Sequence, residues 1–170
     1  MASVKRSSSV DVEAAVLLAD TAVFDRYTTY LSPQRLSRGC IPWMGALSGA
    51  GHGRFWLGTR SDSRDLVMVA HRVGFAFNFG VDVLQAAPAI RHRCDEPSCQ
   101  EPSHWLAGTI QENTIEWSVR RHTLGSPLRD IRGSRGRAEA LRHAARNNLN
   151  LDAVATAGTP VSDFLQPTMF

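Results

Sequence analysis

Between His92 and Asn113 the chain reads H-R-C-D-E-P-S-C-Q-E-P-S-H-W-L-A-G-T-I-Q-E-N, with Cys94, Cys99 and His104 each separated by four residues. Two thiols and an imidazole at that spacing, in a loop turned by Pro97 and Pro102, are zinc-ligand chemistry. A closed structural zinc site takes four donors, so whatever fold the chain adopts must bring a fourth to this loop. Cys40 is the remaining cysteine and the expected fourth ligand, with His52 as the alternative. A thiolate is the better zinc donor of the two. Cys40 lies far upstream, so the cation is expected to clip an early loop to the segment around Cys94, as suits a small domain.

The rest of the sequence is consistent with one such domain. Its 170 residues suffice for a modest core, and 43% of them are apolar. The odd cysteine count argues against a simple disulfide framework. No signal-peptide core follows Lys5 and Arg6, and no apolar run approaches membrane-spanning length. The expectation is an intracellular, cytoplasmic protein with reduced thiols and no organic cofactor. The net charge of +3 is a mild bias toward a polyanionic partner. Arginine is concentrated between Arg120 and Arg146, where Asp130 and Glu139 are the acids. Its planar fork suits phosphate.

Residues 1–9 are small and polar and are expected to be loose. In the 10–39 region, Val12, Val16, Ala19, Val23, Tyr27 and Tyr30 recur at helical spacing, predicting a single helix from Asp11 to Leu31 that ends before Pro33. Short strands are predicted at 54–57 and 66–70 around a polar turn at 62–65, and a short buried helix at 71–79. Strands at 89–93 and 105–107 flank the cysteine loop. Thr109 then caps a helix, with Glu112 completing a capping box. Strand, loop, strand and helix form a ββα unit inside a core spanning 40–125. Beyond it are expected an arginine-rich linker at 126–137, a helix at 138–148, and a tail. The fold class is therefore α+β: a small mixed domain around a zinc-braced ββα-metal motif, with an N-terminal helix and a C-terminal helix and tail.

His92 precedes Cys94 by two residues, so strand alternation puts both on one face at the mouth of the loop. A near-neutral imidazole there can take a proton from water. Asn113, on the first turns of the following helix, offers an amide oxygen to a hard divalent cation. Phosphodiester hydrolysis needs both an activated water and stabilised phosphate charge.

This arrangement resembles the HNH, or His-Me finger, endonucleases. Within them it is most similar to the His-Cys box homing endonucleases and to related phage and actinobacterial HNH proteins. The resemblance covers about residues 40–125. It implies His92 as general base and Asn113 as the ligand of a catalytic magnesium, whose place manganese or calcium can take. It also implies Cys40, Cys94, Cys99 and His104 as the zinc box. The family's V-x-H-R segment resembles Val69, Ala70, His71 and Arg72. Where relatives often carry Asn-Pro, this chain has Gln100-Glu101-Pro102, a departure that bears on how the loop holds His92. The family often clamps the second phosphate oxygen with an arginine. Arg54, Arg60 and Arg72 are the candidates, and Arg60 suits the spacing best.

The implied activity is metal-dependent, site-specific cleavage of double-stranded DNA of the homing type. A restriction enzyme, a less specific phage nuclease or nickase, and a non-catalytic zinc DNA-binding module are the alternatives. His52, Arg54, Trp56 and Arg60 alternate along the first hairpin, either as a ribbon for the major groove or as a solvated strand. Arg129, Arg132, Arg135 and Arg137 are candidate phosphate trackers. Trp43, Trp105 and Trp117 are expected in the core, His71 is expected there or else as a buried partner of the active site, and His122 and His143 are expected at the surface. Cutting a palindrome needs two active sites, so a homodimer is expected, with the first helix and the 150–170 tail as candidate interface.

Overall fold

The computed structural model describes residues 12–58 and 66–165. The loose N-terminus expected at 1–9, the polar turn at 62–65, Arg60 and the last five residues of the tail lie outside them. The fold is small and mixed α+β.

The first helical region is two helices rather than one: α1 (Val12–Leu18) and α2 (Thr21–Thr28). The reason is Asp20, whose carboxylate accepts from the Ala22 amide at 2.8 Å and starts a new helix. The restart shifts the buried stripe. Ala14, Leu18, Val23 and Tyr27 are buried, whereas Val16 and Ala19, expected on the same stripe, are exposed.

Three short antiparallel strands follow in the order β1 (Ala46–Leu47), β2 (Gly53–Trp56) and β3 (Val67–Val69). In β2 Gly53 and Phe55 face inward and Arg54 outward, as the two-residue period of a strand requires. The next helix, α3 (Ala70–Phe79), is buried through its first turns, as expected. Gly80, at φ +97, ends it and leads into α4 (Val81–Ala86). Gly74 permits a close crossing: a Cβ there would stand 2.2 Å from the Tyr27 hydroxyl and 2.5 Å from the Trp105 ring. The main core lies here, around Tyr27, Trp43, Phe55, Leu57, Val73 and Leu84. The rings of Tyr27, Tyr30 and Phe55 gather about the fully buried Trp43 at centroid distances of 5.4, 5.2 and 6.0 Å.

Strand β4 (Ala89–His92) pairs antiparallel with β5 (Trp105–Gly108), from Ala89 opposite Gly108 to His92 opposite Trp105. The cysteine loop closes this hairpin. Helix α5 (Ile110–Arg120) follows directly, and its capping box forms in both directions: the Glu112 amide donates to Thr109 Oγ1 at 3.1 Å, and the Thr109 amide donates to Glu112 Oε2 at 2.7 Å. No residue of α5 is buried, so it is not seated by an apolar face. Trp117, expected in the core, is 46% exposed, with the Arg121 guanidinium 4.7 Å from its ring centroid.

The expected linker at 126–137 is ordered structure. A 3-10 turn at Pro127–Arg129 leads into α6 (Gly133–Arg146), which begins within the glycine- and arginine-rich stretch. Helices α7 (Leu151–Thr156) and α8 (Val161–Leu165) complete the described chain. A second core joins Leu36, Cys40 and Cys99 to Leu141, Ala144, Leu151 and Ala155. The four arginines read as phosphate trackers are committed to carboxylates. Arg129 pairs with Asp163, Arg132 with Asp130, Arg135 with Glu139, and Arg137 with both Glu96 and Asp130. No helix is long and apolar enough to cross a membrane among the described residues.

Candidate functional site

Two antiparallel segments bring the zinc-type donors together. Residues 41–43 run beside 98–100: the Trp43 amide donates to the Ser98 carbonyl at 3.0 Å and the Gln100 amide to the Ile41 carbonyl at 2.7 Å, flanking a bridge between Pro42 and Cys99. Cys40 therefore arrives at the hairpin loop just where Cys99 does. The single turn at Pro102–His104 turns the His104 ring back onto both. Its Nδ1 lies 3.6 Å from Cys40 Sγ and 3.5 Å from Cys99 Sγ. One donor atom each from Cys40, Cys94, Cys99 and His104 lies within 4.8 Å of all the others. Cys40, not His52, is thus the upstream member of this cluster.

The chemistry of the donor set fits zinc. All three cysteines are free thiols, and Cys40 and Cys99 are buried. The thiols oppose one another's ionisation: the hydrogen bond between Cys40 and Cys94 is the largest influence on both, pushing Cys40 up and pulling Cys94 down. Three sulfurs so close cannot all ionise without a cation, and a divalent one removes that penalty. Three thiolates and an imidazole in tetrahedral reach are a closed structural set.

Glu96 lies deeper in the same loop and is buried. Burial raises its carboxyl above the usual range, and the Arg137 guanidinium opposes that rise. Glu96 thereby ties the loop to α6. Tyr27 does the same from the other side, its buried hydroxyl donating to Gln100 Oε1 at 2.9 Å. Gln100 Nε2 donates in turn to the Ser98 carbonyl at 3.1 Å. The departure Gln100-Glu101-Pro102 is therefore built into the fold: Gln100 is a core anchor, and Glu101 pairs with Arg35.

His92 leaves β4 beside this cluster. Its Nε2 donates to the Cys99 carbonyl at 3.0 Å, which leaves the Nδ1 lone pair free. Burial, partly offset by the negative charge at Cys94, pulls the imidazole down to about 4. The ring is therefore neutral at physiological pH. Together with Asn113, Glu116, Trp117 and Arg120 from α5 and His52 from the turn before β2, it lines a cavity of about 190 Å³. His92 and Asn113 thus line one cavity.

Polar contacts hold α5 in place. Arg91, on β4, pairs with Glu116, and Arg120 pairs with both Glu116 and Asp95. Arg120 Nη1 also donates to the His92 backbone carbonyl at 3.1 Å. Asp95 adopts φ +57, a left-handed conformation, to present its carboxylate there. Of the arginines expected at the site, Arg54 is exposed on β2 and Arg72 is half-buried on α3, and neither is among the lining of the His92 cavity. Among the described residues the arginine that does line it is Arg120, to which the sequence reading gave no role at the site.

Two further histidine rings lie close to His92. His71, expected in the core, is buried there, but its ring centroid lies 4.5 Å from that of His92 and 5.3 Å from that of His52. His122 and His143 are exposed, as expected.

No family model matches this chain, and no solved structure matches it. Over 80 residues it is 34% identical to Protein 2.8 of Escherichia phage T7, a stretch covering 47% of this chain and 50% of that protein. The chain thus spans about half the length of this curated relative.

Proposed function

We propose that the chain is a metal-dependent DNA endonuclease of the His-Me finger type, with a zinc-braced ββα-metal motif made of β4, the cysteine loop, β5 and α5. The observation that carries this reading is the shared cavity of His92 and Asn113 beside the four-donor cluster. Cys40, Cys94, Cys99 and His104 would hold structural zinc, and Asn113 would hold a magnesium-type ion. That ion would supply charge neutralisation at the phosphate and the leaving oxygen.

The chain's own residues do the rest. Through Nε2 the Cys99 carbonyl fixes the His92 tautomer, so Nδ1 accepts the proton of the attacking water. Arg120 fixes the backbone of His92 at the cavity wall, where Asp95 and Glu116 balance its charge. It lines the cavity as Arg54 and Arg72 do not, but its guanidinium is already paired with those two carboxylates, so its role is to position His92 rather than to bind phosphate. The substrate is double-stranded DNA. Homodimerisation, with two active sites for two strands, is supported by exposed apolar residues on the two segments expected at the interface: Val16 on α1, and Val161, Phe164 and Leu165 on α8. The likeness to a phage protein supports a phage-encoded setting.

The test is cleavage of a complex DNA library with magnesium, sequencing the ends, alongside His92→Ala. Cuts at one defined motif that vanish in the variant are expected. A zinc-loaded protein that retains DNA and never cuts would replace this reading with a non-catalytic binding module.

A further inference from the structure

We propose that His52, His71 and His92 form a second metal site, suited to a borderline cation such as zinc or cobalt and separate from the cysteine cluster. One ring nitrogen from each lies within 4.8 Å of those of the other two. The three come from different elements, the turn before β2, the first turn of α3 and the end of β4, so the tertiary fold alone brings them together.

The hydrogen bonds dispose the rings for ligation. His52 Nδ1 donates to the Pro97 carbonyl at 3.0 Å and His92 Nε2 to the Cys99 carbonyl at 3.0 Å. Each ring is thus left with one nitrogen lone pair, Nε2 on His52 and Nδ1 on His92. Backbone carbonyls holding the distal N–H are the usual outer support of metal-binding histidines. His71 gives an independent sign. It is 5% exposed, and its Nδ1 is buried without a hydrogen-bond partner. A buried polar atom left unpaired is costly, and a cation bound there would satisfy it. Burial also lowers the pKa of His52 and His71, favouring the neutral form that ligates.

Three imidazoles suit zinc, copper, nickel or cobalt, whereas magnesium prefers oxygen. Tetrahedral zinc at its usual bond length holds nitrogens about 3.3 Å apart, so the rings close inward slightly on binding. The cavity lined by His52 and His92 gives an entry path and leaves the fourth position to water. Occupancy takes the Nδ1 lone pair of His92. On the nuclease reading, and only on it, this makes the site an inhibitory one, through which excess zinc silences the base.

The test is a cobalt titration of the metal-stripped full chain, following the visible spectrum and the bound metal. Two equivalents are expected in the wild-type protein. One carries the thiolate charge-transfer band of the cysteine cluster, and the other adds a weaker band without it. His52→Ala and His71→Ala should each lose the second equivalent and keep the thiolate band. Because His71 is buried and its variant can fail to fold, the half-exposed His52 variant, checked by thermal melt, decides. A single equivalent in wild type, or a second equivalent that survives His52→Ala, would overturn the site. Zinc inhibition of DNA cleavage is a separate arm. If the protein never cuts, the nuclease reading fails while the stoichiometry still tests the site.

Discussion

Arg137 Nε donates to a Glu96 carboxylate oxygen at 2.6 Å, and both side chains are buried. Glu96 belongs to the cysteine loop and Arg137 to α6, so one ion pair joins the candidate zinc centre to the C-terminal helices. Asp130 and the Ala155 carbonyl both accept from Arg137 Nη1. Removing one partner strands a buried charge, which costs more than the pair itself contributes. Arg137→Met is expected to lose about 3–5 kcal/mol of stability in urea unfolding. A double replacement of Glu96 and Arg137 by apolar residues of similar volume should lose less.

Removing the cation should undo the second core before the first. Cys40 and Cys99 sit among Leu36, Leu141, Ala144 and Leu151, so loss of the bonds that a cation would make to their sulfurs acts directly on that packing. Cys99→Ser, or chelation under mild denaturant, should release zinc and open α6 and α7 to hydrogen exchange. Protection in α3 and around Trp43 should outlast it. Simultaneous loss of protection in both cores would contradict this order.

Arg120 positions His92 through its backbone rather than its ring. On the proposed nuclease reading, Arg120→Met should therefore lower DNA cleavage by about 100-fold, the scale expected when a catalytic group is misplaced by an ångström. Zinc content should be unchanged. Arg120→Lys keeps the charge but not the double contact to His92 and Asp95, and should recover only part of the rate.

Gly74→Ala tests the crossing of α2, α3 and β5. The added methyl would meet the Tyr27 hydroxyl and the Trp105 ring well inside contact distance. A loss of about 1–3 kcal/mol is expected by chemical denaturation, as for other overpacked cores.

The α8 segment should detach in acid. Asp163 is held down to about 2, first by its hydrogen bonds from Arg129 and then by the Gly125 amide. Because its folded value lies below the unfolded one, its contribution is complete above about 4 and is lost as pH falls toward 2. Limited proteolysis or hydrogen exchange at 160–165 should report release across that window. Asp163→Asn should already show it at neutral pH.

What the sequence made legible was local or chemically singular. The Cys94, Cys99 and His104 spacing identified the loop, and Cys40 followed because zinc takes four donors. The Thr109–Glu112 box marked the start of α5 within a single turn of chain. The rest needed tertiary information. The hydrophobic repeat continues across Asp20, so its cap was hidden inside one apparent helix. Glycine and serine around Arg129–Arg137 read as a linker, because the carboxylates that order those arginines, Glu96, Asp130, Glu139 and Asp163, include two that lie far off in sequence. His52, His71 and His92 carry no metal-ligand spacing and meet only once the first sheet and the hairpin have packed.

The placement of Cys40 also bears on how the protein is made. A chain leaving the ribosome presents Cys40 and the whole first sheet before Cys94, Cys99 and His104 have been synthesised. Until then Cys40 has no partner donors, and residues 41–43 lack the strand they run beside. Glu96 emerges later still without its counter-charge, which arrives only with Arg137. Synthesis must therefore reach α6 before the loop bearing the candidate base can settle, so a truncated product would expose an unpaired acid and unliganded thiols to the cell's quality control.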